Sequence, residues 1–207
     1  MKTARIFIFV ILPVLFLIGC RTMSEREKTI LAYSESSGDS YDQYLIKQKQ
    51  YTSSGVVFHK RYYKYLRGVA KMIIDEKKYH IVRNSIGFYY DKKSHDKSKL
   101  YLGLDLDVEP DSELVVSKYG NRALSLLKKY TPELLKVVFS CESIFSEDDV
   151  VGIVIGLRWK VYGEAEVVNI WVDKKDIIRF EKTELSLSEI IDRNVITDTN
   201  GKVIRLQ

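Results

Sequence analysis

The sequence predicts an α+β domain with a mainly antiparallel sheet and two main amphipathic helices, preceded by a short apolar N-terminal segment. Three observations support this prediction: helical periodicity over 57–77, strict two-residue alternation over 150–162, and turn signals between short apolar runs. The chain has 207 residues, of which 45% are hydrophobic and 29% charged. One folded domain is therefore expected once the N-terminal segment is set aside.

The N-terminus has the architecture of a signal peptide. Lys2 and Arg5 make a short basic region, and the apolar run 6–18 follows it and ends at Gly19 and Cys20. A transmembrane helix needs about 20 apolar residues, so this run is too short to span a bilayer comfortably. We expect a processed targeting segment over 1–19.

The residues Leu17-Ile18-Gly19-Cys20 resemble the lipobox of bacterial lipoproteins. The resemblance implies cleavage before Cys20 and attachment of lipid, including fatty acids such as palmitate, to that cysteine. It also implies a membrane partner, bound through the lipid on Cys20, and a place in the cell envelope. Arg21 is not the aspartate that retains enterobacterial lipoproteins at the inner membrane, so that rule implies the outer membrane in a Gram-negative cell.

The predicted organisation is a signal peptide over 1–19, a lipidated N-terminus with a polar tether over 20–55, and a single α+β envelope domain over 56–207. Serine and glycine at 34–40 and 52–55 suggest the tether.

The first half of the domain is expected to contain both main helices. An amphipathic helix is predicted over 57–77, followed by a hairpin of strands 86–90 and 100–108. A second helix starts after Pro110, capped by Asp111 or Ser112, and Thr131-Pro132 is predicted to end it. The apolar run 134–141 then reads as a strand.

The second half is expected to be mainly strands. Alternation over 150–162 places Ile153, Ile155, Leu157 and Trp159 in the core and Arg158 and Lys160 in solvent. Two further strands are predicted at 166–172 and 177–183. The sequence 186–189 fits a capping box, and Asn200-Gly201 predicts a hairpin turn.

Composition excludes several functional classes. Subtracting Lys2 and Arg5 from the formal charge of +5 leaves +3, too mild for a polyanion partner, and we predict no nucleic-acid partner. Two cysteines are too few for a disulfide framework or a thiolate metal site. Cys141 lies in an apolar run, which favours a buried, inert thiol.

Few residues are candidates for chemistry. Asp105, Asp107 and Glu109 alternate along a predicted strand and are the candidates for binding a hard cation. Same-face neighbours on a strand lie about 7 Å apart, too far for all three to share one ion without help from a loop, so a solvated sheet face is preferred and no metal is predicted. The three histidines, His59, His80 and His95, lack ligand spacing. No catalytic triad, P-loop or dinucleotide motif is present, and we expect no cofactor.

A basic stripe on the first helix is the candidate lipid or partner surface. It consists of Lys60, Arg61, Lys64 and Lys71, with Arg67 and tyrosines interleaved. A solvated helix face, with the tyrosines half in the core, is the preferred interpretation, and the lipid or partner surface is the alternative.

Two functions follow. The preferred one is a non-catalytic envelope lipoprotein that binds a protein, a cell-wall component or a lipid. The alternative is an anchored enzyme acting on envelope polymers, with carboxylates such as Asp105 and Glu109 as acid and base.

Overall fold

The computed structural model describes residues 23–35, 39–47, 52–90 and 97–206, and these ranges form an α+β fold as the sequence predicts. Its helices are α1 Glu25–Glu35, α2 Ser53–Asp75, α3 Ser112–Val115, α4 Tyr119–Phe139, α5 Glu142–Phe145, α6 Lys174–Glu181 and α7 Leu187–Arg193, with a 3₁₀ turn at Asp39–Tyr44. Its strands are β1 His80–Ile81, β2 Gly87–Tyr89, β3 Leu100–Asp107, β4 Val150–Val161, β5 Glu164–Asp173, β6 Val195–Thr197 and β7 Val203–Ile204.

The strands form one mainly antiparallel sheet. Its order is β1-β3-β4-β5-β6-β7, and β2 pairs with the first half of β3. The pair β3 and β4 is the parallel exception among the described strands, and the connection between them carries α3, α4 and α5. A parallel pair needs such a crossover because a tight turn can join only antiparallel neighbours.

The two faces of the sheet differ in burial. One face packs against the helices with fully buried side chains, among them Leu102, Leu104, Ile153, Ile155, Leu157, Val168 and Ile170. The other face carries half-buried polar and aromatic residues on β2, β3 and β5. A sheet with helices on one face leaves the other available for binding.

Strand β4 confirms the predicted alternation and modifies one part of it. Ile153, Ile155 and Leu157 are fully buried, Trp159 is nearly so, and Arg158 and Lys160 are exposed. The second face is not solvated along its whole length, however, since Gly152, Val154 and Gly156 on it are also buried.

The prediction of a strand over 134–141 is wrong. Residues 134–139 belong to α4 rather than to a strand, and Pro132 lies inside that helix instead of ending it. Leu134, Leu135 and Val138 are buried against the core. A short apolar run has no period of its own, so strand and buried helix could not be distinguished by pattern.

The second long helix also begins later than the sequence predicts. Asp111 caps only the single-turn α3 and makes no side-chain capping bond, and α4 begins at Tyr119. The buried Arg122 holds the intervening turn, because its guanidinium donates to the carbonyls of Leu114, Val115 and Ser117 at 2.7–2.9 Å.

The prediction of a strand over 177–183 is also wrong, because residues 174–181 form α6. Ile177 is fully buried, and the nearly buried carboxylate of Asp176 accepts a hydrogen bond from Asn194 Nδ2 at 3.3 Å. The capping box at Ser186 and Glu189 is present, and Gly201, with φ of 72°, lies in the predicted hairpin turn.

The folded region begins before the predicted boundary at 56. Helix α1 packs on α2, with Ile30 fully buried so close to Gly68 that a Cβ there would overlap the Ile30 carbonyl. The buried carboxylate of Glu27 accepts the backbone N–H of Ser143 at 2.9 Å. The described parts of the expected tether, 23–35 and 39–47, therefore belong to the domain.

Candidate functional site

The candidate site is a groove on the sheet face away from the helices. It has a volume of about 320 Å³, and all the described residues that line it belong to strands or to the turns that follow β2 and β6. Side chains of alternate residues project to the same face of a strand, so five strands, β2 to β6, contribute to one surface. The lining residues are Tyr89, Tyr90, Tyr101, Asp105, Val154, Asn169, Trp171, Val195, Thr197 and Gly201.

Aromatic rings form much of the groove wall. The rings of Tyr101 and Trp171 meet edge to face, with centroids 5.0 Å apart and planes at 88°. Tyr89 is anchored because its hydroxyl donates to the carbonyl of Ser85. Such rings provide large apolar contact areas together with electron-rich faces.

Glycines on the central strand make room for these side chains. A Cβ at Gly152 would overlap the Tyr101 ring and the Val172 carbonyl, and one at Gly156 would overlap a carboxylate oxygen of Asp105. A glycine inside a strand commonly marks such a close approach of neighbouring groups.

Asp105 is the one charged side chain among the described residues that line the groove. It is half-buried on β3, and burial raises its pKa to about 6, with nearby Arg158 opposing the shift and Asp107 adding to it. The removal of a carboxylate from water favours the protonated form unless donors compensate. No ion pair or side-chain hydrogen bond of Asp105 joins it to another described residue.

Two polar side chains lie beside this carboxyl. Asn169 projects from β5 toward Gly156, the same point over which Asp105 lies, and its Nδ2 donates to Thr197 Oγ1 at 3.3 Å. Thr197 is buried on β6. The groove therefore combines an apolar aromatic wall with a few convergent polar groups, the usual character of a small-ligand site.

A second, wider cleft of about 930 Å³ lies at the ends of β3 and β4. It contains Asp107 and Glu109 together with Arg158, Lys160 and His80. The Arg158 guanidinium lies 3.7 Å from the exposed Asp107 carboxylate. Exposed opposite charges of this kind form a solvated rim and contribute little binding energy.

The three acidic residues predicted as metal candidates do not lie in one cavity. Asp105 lines the groove, whereas Asp107 and Glu109 line the wider cleft, and Glu109 lies beyond the end of β3. Within the described ranges, no group of three or more acidic, histidine or cysteine side chains is arranged to hold a metal ion. Asp105 and Glu109, the carboxylates of the enzymatic alternative, do not share a cavity.

The basic stripe on α2 is partly neutralised by the domain itself. Arg61 pairs with Glu147 at 2.6 Å, and Lys71 pairs with Asp75. Lys60 and Lys64 are exposed. The stripe is a weaker candidate surface than four unpaired charges would be.

The remaining predicted residues make no second site. Cys141 is a buried, unpaired thiol that precedes α5 rather than lying on a strand, and burial raises its pKa above the ordinary range. His59 is buried and His80 is exposed. Cys20 and His95 lie outside the described residues, as does the predicted signal peptide.

Comparisons of this chain with protein-family models, curated proteins and solved structures found no match. No helix among the described residues has the length and apolar character needed to cross a membrane.

Sequence reasoning missed most of the groove. Tyr89, Tyr101, Asn169, Trp171 and Thr197 come from four strands whose pairing order no local pattern specifies. One signal was present: Tyr101 and Asp105 share a strand face, as do Asn169 and Trp171.

Proposed function

We propose that this chain is a lipid-anchored lipoprotein of the bacterial cell envelope whose domain is a binding module, with the aromatic groove as its ligand site. The observation that supports binding is the groove itself, in which aromatic rings, a half-buried carboxyl and an amide converge on one sheet face. The enzymatic alternative named Asp105 and Glu109 as acid and base, and these two carboxylates line different cavities.

The anchor and the fold together define how the domain would sit. Cys20 is three residues before Met23, the first described residue, and an extended chain covers about 10 Å over that distance. Helix α1 is fastened to the domain through Ile30, Glu27 and an Arg26–Glu181 ion pair at 3.0 Å. A lipidated Cys20 would hold the domain close to the membrane, with no long tether.

The groove remains available in that arrangement. Helix α1 packs on α2 in the helical layer, and the groove lies on the opposite face of the sheet. The anchored side and the binding side are therefore different faces of one domain.

Lipidation is tested by replacing Cys20 with Ser. The variant should incorporate no labelled palmitate and should leave the lipidated membrane fraction, because the thioether acceptor is gone. Cys141→Ser is the matched control and should label like the natural chain, since its thiol is buried. Undiminished labelling of Cys20→Ser would contradict the anchor.

Binding in the groove is tested with 5-fluorotryptophan. The chain has two tryptophans, Trp171 in the groove and Trp159 in the core, so the second is an internal control. The probe is the dialysable fraction of the native host's cell envelope, added to the detergent-solubilised chain. We expect the fluorine resonance of Trp171 to shift and that of Trp159 to stay.

A Thr197→Val variant keeps the shape of the side chain and removes the hydroxyl beside Asn169, so it should weaken this response. The absence of any selective shift at Trp171 would contradict a ligand site in the groove.

A further inference from the structure

The groove contains one negative charge that the described protein does not neutralise. The Asp105 carboxylate is half-buried on β3, and the charged groups that face it are Asp107 on its own strand and Arg158 on β4. Arg158 is exposed and lies against Asp107 at 3.7 Å. The three groups together carry a net charge of −1 when Asp105 is ionised.

A carboxylate in this position is costly unless a ligand compensates it. Moving a charge out of water without a donor or a counter-ion is unfavourable. A neutral ligand that filled the groove would remove more water from Asp105 and increase that cost. A positively charged ligand would reverse it.

The aromatic wall favours the same kind of ligand. The rings of Tyr101 and Trp171 lie at right angles to each other and line the same groove as Asp105. The face of a tyrosine or tryptophan ring attracts a cation within about 6 Å of its centre, and the attraction grows where water is excluded. Carboxylate and rings line one cavity of about 320 Å³, a size suited to a small organic group.

We propose that the groove selects ligands that carry an organic ammonium group, held between Asp105 and the rings of Tyr101 and Trp171. This inference rests on the proposed binding function and specifies its ligand class. The group can belong to a free small molecule or to an aminated part of a larger envelope component, since the chemistry of recognition is the same. A neutral saccharide, which would use the rings and Asn169 only, is the competing outcome.

The test compares choline with 3,3-dimethylbutan-1-ol, a neutral molecule of nearly the same shape. Both are titrated against the fluorotryptophan-labelled chain, with the shift of Trp171 as the readout and Trp159 as the control. We expect choline to bind at least about tenfold more tightly than the alcohol, because only choline gains the charge and cation–π interactions.

Two variants locate the charge. Asp105→Asn, which is nearly isosteric, should reduce choline affinity severalfold toward that of the neutral alcohol, because the carboxylate is lost while the contacts with the rings remain. Glu109→Gln removes the same charge from the neighbouring cleft and should leave choline affinity within about twofold, because exposed charges are screened. Circular dichroism should show both variants folded.

A pH series adds a readout that a purely structural role would not move. Choline affinity of the natural chain should fall as the pH decreases through about 6, where Asp105 takes up a proton, and affinity for the neutral alcohol should stay level. The same series on Asp105→Asn should be flat.

Several results would overturn this inference, and they are separable from failure of the proposed function. Equal binding of choline and the alcohol at Trp171 would leave a ligand groove without cation selectivity. Unchanged choline affinity in Asp105→Asn would likewise show that the Asp105 charge does not select a cation. No Trp171 response to choline, combined with a response to the dialysable envelope fraction, would reject the ammonium ligand and retain the groove.

Discussion

Asp105 is a carboxylate that the strand places away from water, although hydration would stabilise its charged form. Its strand face is fixed by the alternation of β3, in which Leu104 and Leu106 must face the core. The carboxyl therefore meets the groove floor over Gly156, where little water reaches it. Such a group is more readily explained by a ligand than by stability.

This placement has a predictable effect on stability. The folded pKa of Asp105 is about 6, above the ordinary value of 3.8, so between these pH values the folded chain retains a proton that the unfolded chain has lost. The free energy of unfolding should therefore fall as pH rises from about 4 to 6 and stay reduced above that.

Asp105→Asn should remove this cost. We expect the variant to be more stable than the natural chain by about 1–3 kcal/mol near pH 7.5 and equal to it near pH 4, measured by urea unfolding. A variant less stable than the natural chain at neutral pH would mean that the carboxylate makes stabilising bonds.

The two faces of β4 should differ in mutational cost. Leu157 is fully buried and Lys160 is exposed. Leu157→Ala should lower the free energy of unfolding by about 2–5 kcal/mol, whereas Lys160→Ala should change it by less than about 0.5. Thermal and urea unfolding provide the measurement, and a costly Lys160 with a tolerant Leu157 would mean an inverted register.

At the scale of elements, long periodic segments were predictable and short apolar runs were not. Helix α2 and strand β4 each repeat their pattern over several turns or pairs, so their type was correct and their ends shifted by only a few residues. Residues 134–141 and 177–183 are short, and their burial depends on which neighbours the tertiary fold supplies. Local pattern does not contain that information.

Helix α1 illustrates the same limit. Its segment is polar and has a single fully buried side chain, Ile30, so its sequence resembled a tether. What orders it is tertiary contact: the close approach to Gly68 and the bond from Ser143 to Glu27. The packing partner lies more than thirty residues away.

We therefore predict that α1 resists proteolysis. Trypsin should cut the natural chain slowly at Arg26 and Lys28. Ile30→Ala should speed that cleavage and lower the free energy of unfolding by about 2–5 kcal/mol, because a fully buried side chain is removed.

Thr29→Ala, on an exposed neighbouring position, is the control and should behave like the natural chain. Rapid cleavage of the natural chain at both sites would restore the flexible tether that the sequence suggested.

At the scale of the whole molecule, the fold class was predictable but the site was not. The alternation of polar and apolar residues indicates that each strand has two faces, and Asp105 was identified on one of them. The groove, however, exists only because β2, β3, β5 and β6 lie around β4 in that order. Strand order depends on a parallel crossover through α4, a segment that was itself partly misassigned.

We propose that the helical layer of the domain is anchored to the membrane and that the opposite sheet face binds a ligand. The lipid anchor would place the domain at the membrane, and the groove would bind a ligand there. If this proposal is right, the groove is occupied in the cell envelope, so the most direct test measures its accessibility there.

That measurement is the rate of maleimide labelling at single introduced cysteines in intact envelopes and in the purified, detergent-solubilised chain. Val195→Cys lies at the groove, where the native residue is 49% exposed, and Val116→Cys lies outside it, where the native residue is 77% exposed. The native Cys141 is buried, which keeps the background low. We predict that labelling at 195 is several times slower in envelopes than in the purified chain, while the rate at 116 changes little. Equal ratios at the two positions would contradict an occupied groove and, with it, the binding function proposed here.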